Sequence, residues 1–173
     1  MSSFYMRIDG ITEFKGMATV KEIGGKKGFF PIGGLGFGFG RSIHVAVGAS
    51  EDAESGVPSL SDIAISRPND AASAILETLF FSPSNKGKKF EIVTTKTSND
   101  GKGLQPTMVI TLEEARVSSY SYANEATDIT LAYTTISIVH YFETEAGEIV
   151  KTDAVTFDLK VAELTSGNSD AQK

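Results

Sequence analysis

The chain has 173 residues, 40% of them hydrophobic, enough for one domain that buries roughly 70% of the surface its unfolded form exposes. Lys+Arg is 16 against Asp+Glu 22, a net charge of −6 that lacks the cationic footprint nucleic acid or an anionic membrane surface demands. There is no cysteine, so disulfides, Cys-ligated zinc, iron–sulfur clusters and a Cys nucleophile are excluded.

The amino-terminal stretch MSSFYMRIDG carries Arg7 and Asp9 where a signal peptide needs an apolar run. No 18-residue apolar stretch follows, so membrane insertion is not expected, and any export is expected to need no such signal. Phe4, Met6 and Ile8 alternate with Tyr5 and Arg7, which predicts a first strand with one buried face. Residues 24–40 are glycine-rich and irregular. Within them Gly34, Gly36, Gly38 and Gly40 alternate with Leu35, Phe37 and Phe39. No GK[ST] follows and no GxGxxG opens a helix, so a phosphate loop gives way to an extended segment with a bare glycine face. Such a face lets another backbone approach closely, and a neighbouring subunit is one source of it. Residues 48–59, GASEDAESGVPS, are acidic, small and turn-rich, a loop by composition that carries Glu51, Asp52 and Glu54.

One segment has helical periodicity. In 70–81, Ala72, Ile75, Leu76, Leu79 and Phe80 form a single apolar stripe, with Pro68 and Asp70 suited to its start and Ser82-Pro83 to its end. Lys86, Lys88 and Lys89 then read as a solvated turn. The β-branched runs 88–97 and 106–119 predict a hairpin with a long tip at 98–105. In 129–143 the apolar parity changes from Ile129, Leu131 and Tyr133 to Ile136, Ile138 and Phe142, which predicts a bulge or sharp bend near Thr134–Thr135. Val155, Phe157, Leu159 and Val161 mark a last strand, and 165–173 reads as a flexible polar tail.

Nothing in this order points to catalysis. His44 and His140 are the whole imidazole inventory, and neither GxSxG nor HExxH occurs. Glu113 and Glu114 are adjacent on a predicted strand, so they point to opposite faces and form no acid/base pair. We expect no catalytic, cofactor or metal site. The fold class expected is mainly β, a barrel or sandwich of two antiparallel sheets with one short helix at about 70–81. A single domain over 1–164 carries the tail.

Three stretches together resemble the haemolysin-coregulated protein (Hcp) family of type VI secretion systems. YMRIDGI at 5–11 is similar to the family's opening strand and Asp-Gly turn. Residues 57–97 run from VPSLSDIAISRP through the helix NDAASAILETLFF and a basic turn to FEIVTTK, in the family's order. MVITLEEARVSSYSY at 108–122 resembles its I-x-L-E-x-x-x-V-S-S strand, followed by TISIVHYF. The resemblance implies a β-barrel protomer that assembles into six-subunit rings, stacked as a tube inside a contractile sheath and expelled with effector proteins. Its implied partners are further copies of itself, sheath and spike proteins, and effectors in the lumen. It implies a protein that is cytoplasmic before firing and secreted after it. Ring and stacking contacts are expected at Gly34, Gly36, Gly38, Gly40, Glu51, Asp52 and Glu54, because stacking needs a projecting element and 48–59 is the best one. The rival readings are a tail-tube subunit of another phage-like contractile particle and a monomeric β-sandwich that binds a small molecule or glycan.

Overall fold

The computed structural model describes residues 2–11, 22–44, 47–48, 54–82, 86–101 and 103–172, with backbone alone at 54–55. The element at its centre is also its longest, a strand at Leu104–Ala123 (β10 in chain order). It is long enough to serve two layers. Its first half pairs antiparallel with β9 (Lys88–Thr97) on one side and β12 (Thr135–Glu143) on the other, and its second half pairs with β11 (Ala126–Ala132). Beyond β9 lie β1 (Ser3–Ile8) and β2 (Phe30–Ile32), and beyond β12 lie β14 (Val155–Asp158) and the edge strand β15 (Glu163–Ser166). β13 (Ile149–Lys151) joins the far end of β12. Beyond β11 come β8 (Ile63–Pro68) and β3 (Gly34–Gly36).

The eleven-stranded sheet thus folds on itself into a sandwich and does not close into a barrel. Segment 30–36 bridges its two layers. Phe30–Ile32 pair with β1, the Gly33 amide donates to the Ser66 carbonyl at 2.7 Å, and Gly34–Gly36 pair with β8. Gly33 sits at the changeover, where an added Cβ would come within 3.3 Å of that carbonyl.

Between the layers lies one apolar core. Met6 and Ile8 from β1, Phe30, Ile63 and Ile65 from β8, Phe90 and Ile92 from β9, Ile110 and Leu112 from β10, and Leu131 are all buried in it. The predicted parity of the first strand is what places Met6 and Ile8 there. The predicted bend at 134–135 is a break between β11 and β12 at Tyr133–Thr134, opposite a register shift on β10 between Leu112 and Ala115. Glu114 takes φ +49 at that shift, and Gly87 fits against it. The adjacent carboxylates diverge as expected, Glu113 pairing with Lys89 at 3.2 Å and Glu114 with Lys160 at 2.7 Å.

The helix α1 (Ser73–Phe81) covers one side of the core with Ala72 and Leu76 fully buried. Its start is held by Arg67, a buried guanidinium over the Phe30 ring at 5.5 Å, which pairs with Asp70 and donates to Ser73 Oγ at 3.0 Å. A charge this deep needs those partners to offset its lost hydration. Asp70 also accepts from the Ala72 amide at 2.9 Å, replacing a side-chain cap that Ala72 lacks.

Three expectations change. Phe80 leaves the helix stripe and meets Phe81 edge-on at 5.2 Å on the surface. Lys88 and Lys89 belong to β9, not to a turn. The last strand stops at Asp158, because the chain reverses through 159–162 with Ala162 at φ +56, and Leu159 and Val161 are exposed. The returning strand β15 takes in Thr165 and Ser166, the first two residues of the expected tail.

Candidate assembly interface

The glycine run and the acidic loop, read separately in sequence, are two sides of one element. From β3 the chain leaves the sandwich as a two-stranded arm. β4 (Phe39–Gly40) pairs with β7 (Ser59–Leu60), and further out β5 (Ile43–His44) pairs with β6 (Glu54–Ser55). Between the two rungs the Gly56 amide donates to the Ser42 carbonyl at 2.7 Å. The expected loop 48–59 therefore contains two short strands. Composition hid them because each rung is only two residues long and its sequence is turn-like.

The base of the arm is fastened to the sandwich. Gly38 and Ser61 exchange hydrogen bonds, the Gly38 amide to Ser61 Oγ at 2.8 Å and the Ser61 amide to the Gly38 carbonyl at 2.9 Å. Tyr133, at the break between β11 and β12, donates its hydroxyl to the Ser61 carbonyl at 2.9 Å. Burial, with a smaller contribution from nearby Asp62, pushes the Tyr133 phenol up to about 12. Ser118 Oγ adds a bond to Asp62 Oδ2 at 2.7 Å. Beyond this fastening the arm offers apolar side chains to solvent, namely Phe39, Ile43, Val47 and Val57.

The expected contact residues fall in distinct settings. At Gly34 an added Cβ would stand 2.7 Å from Ser66 Oγ, so the close approach there is made by β8 of the same chain. At Gly36, Gly38 and Gly40 no atom of the described residues lies within 4 Å of that position, and the glycine face is open among them. Gly34 and Gly36, with Ala64, Ser66, Ser119 and Thr130, line a shallow depression of about 410 Å³ on the outer face of the second layer. Glu54 opens β6, opposite His44. Glu51 and Asp52 lie outside the described residues, in the sequence that joins β5 to β6.

Sequence reasoning missed a groove. Where the arm leaves the body, Phe39, Gly40, Pro58 and Leu60 face Ile136, Ile138, Val155, Phe157 and Leu164 across a space of about 380 Å³, with Arg41 also in its lining. Val155 on β14 and Leu164 on β15 are exposed along it. The alternation of Val155 and Phe157 was its only signal, and alternation does not say which neighbour covers a face. His44 on the arm and His140 on β12 are both exposed, and among the described residues no group of three or more His, Cys, Asp or Glu is placed to hold a metal ion. No helix among them is long and apolar enough to cross a membrane.

A two-layer β-sandwich with one flanking helix and a projecting hairpin arm defines the class of fold. The family model described as type VI secretion system effector, Hcp, matches residues 5–140, and the chain belongs to that family. Among solved structures it is similar to a type six secretion system protein (TM-score 0.75, 16% identity, 94% of this chain and 99% of that one covered). It is also similar to Hcp1 from Salmonella typhimurium (TM-score 0.61, 13% identity, 96% and 99% covered). A type VI secretion system effector from Yersinia pestis is a further relative in fold (TM-score 0.52, 14% identity, 90% and 98% covered). No curated protein matches the chain in sequence.

Proposed function

We propose that this protein is a structural subunit of the type VI inner tube, forming rings of six that stack, are expelled by sheath contraction and carry effector proteins in their lumen. The observation that carries this reading is the arm. A two-stranded ribbon is marginal by itself in water. This one is fastened at its base by Tyr133, Ser61 and Ser118, yet its outer part has exposed Ile43, Val47 and Val57. A ribbon so built gains its stability from a surface outside its own chain. Membership of a type VI secretion system family supports this reading, and within it we assign the chain the part of a structural subunit. Closing a ring takes head-to-tail contacts between different patches of identical subunits. The open glycine face at Gly36, Gly38 and Gly40 and the acidic tip with Glu51, Asp52 and Glu54 are the surfaces we assign to ring and stacking contacts.

Deleting 49–53, which spares both rungs, tests the assignment. Rings should persist while tubes are lost, as seen by electron microscopy of the purified protein; tubes at wild-type abundance would contradict it. The groove favours a second reading, a monomeric ligand-binding sandwich. That reading predicts one chain per particle at every concentration.

A further inference from the structure

We infer that the groove at the base of the arm is a binding site for a single-chain amphiphile with a carboxylate head, in its simplest form a medium-chain fatty acid. The site lies within one chain and all its lining residues are described, so it does not rest on ring closure. On the side of the body, Ile136 stands opposite Phe157 and Ile138 opposite Val155 in the β12–β14 register, which makes a flat apolar strip. Phe39 and Leu60 face it from the arm, and the space between measures about 380 Å³. Small-molecule sites of about 300–1,000 Å³ are of this kind, mostly apolar with few polar groups. Ile136 is 2% exposed whereas Val155 and Leu164 are open to solvent, so the groove has a buried floor and an apolar rim. A hydrocarbon chain laid along it is removed from water together with that rim.

Charge names the head group. Arg41 is the one charged side chain in the lining, and it makes no ion pair with any other described residue. It is exposed, and it follows the β4 rung one residue outward from Gly40, at the mouth and not on the floor. A guanidinium there offers a fork of donors that matches a carboxylate with two parallel hydrogen bonds. An anionic head with an apolar chain uses both features of the groove. An inorganic anion gains nothing from the walls, and a cationic amphiphile is repelled at the mouth.

Calorimetric titration of the purified full chain with decanoate, below its micelle concentration, tests the site. Binding should saturate at one molecule per chain and weaken about fourfold for each methylene removed, so that octanoate binds about fifteenfold less tightly. Arg41→Gln should weaken decanoate about tenfold and leave decanol unchanged, while Arg41→Lys, which keeps the charge without the fork, restores part of the loss. Leu164→Glu, at an exposed position that does not burden the fold, should weaken decanoate by a similar factor. No saturable binding, no dependence on chain length, or binding undiminished in both R41Q and L164E overturns the inference. Rings that exclude decanoate while single chains bind it show a second copy in the groove, and overturn it as well. The mass of the particle is read separately, so none of these results bears on the tube reading.

Discussion

The body and the arm of this protein are built on opposite principles. In the body, strand partners lie on both sides of β10, and Ile110 and Leu112 are fully buried between two layers. Buried apolar area holds it together, at roughly 25 cal/mol per Å². In the arm, two rungs of two residues carry Phe39 and Ile43, both exposed. The contrast separates what the sequence needs in order to fold from what the proposed function assigns to contact with other copies.

The largest expected break in that contrast comes from the body. Leu112→Ala removes a fully buried side chain and should cost about 2–5 kcal/mol in denaturant unfolding. Gly87→Ala should cost about 2 kcal/mol or more, since φ there is +67 and the new Cβ would lie 2.7 Å from the Glu114 carbonyl group. Tyr133→Phe sits at the junction. It should cost about 1 kcal/mol through the lost bond to Ser61 and loosen the arm more than the body, which amide hydrogen exchange reads residue by residue.

Tyr133 also gives a pH signature. Its phenol is held neutral by burial, with the folded value raised to about 12 from an ordinary 10.0. The stability this provides is complete below pH 10 and is lost as pH rises through 12. The chain has no tryptophan, so ultraviolet titration should show a late phenolate step near pH 12 that Tyr133→Phe removes. The smallest effect on folding belongs to the glycine face that runs from β3 towards the arm. Gly36→Ala and Gly38→Ala meet open space and should leave stability within about 0.5 kcal/mol. Tube yield should fall where a neighbour's backbone needs the bare face; unchanged tubes would remove the glycine face from the contact surface.

How much was legible in the sequence follows the same division. Period-two alternation at Phe4, Met6 and Ile8 reports burial on one face, and the body is made of such faces. The parity change between Tyr133 and Ile136 predicted a bend near Thr134–Thr135, and the break between β11 and β12 falls at Tyr133–Thr134, because an interrupted strand must keep both apolar sets on the core. The same logic overran at Leu159 and Val161, where alternation continues past the reversal at Ala162 and the side chains face solvent. The arm was illegible as a hairpin. Its rungs are too short for periodicity, and its glycines and acidic residues have the composition of a loop. The groove is lined by residues of the arm and of β12, β14 and β15 together, a property of the assembled sandwich that no local pattern encodes.

The central claim is that the chain closes into rings, and the mass of the purified protein by light scattering, with electron micrographs of the same peak, tests it most directly. The account predicts a particle about six times the 18.4 kDa chain, annular, with an open axial channel. A strict monomer at every concentration, with the groove at Val155 and Leu164 still open to solvent, would contradict it.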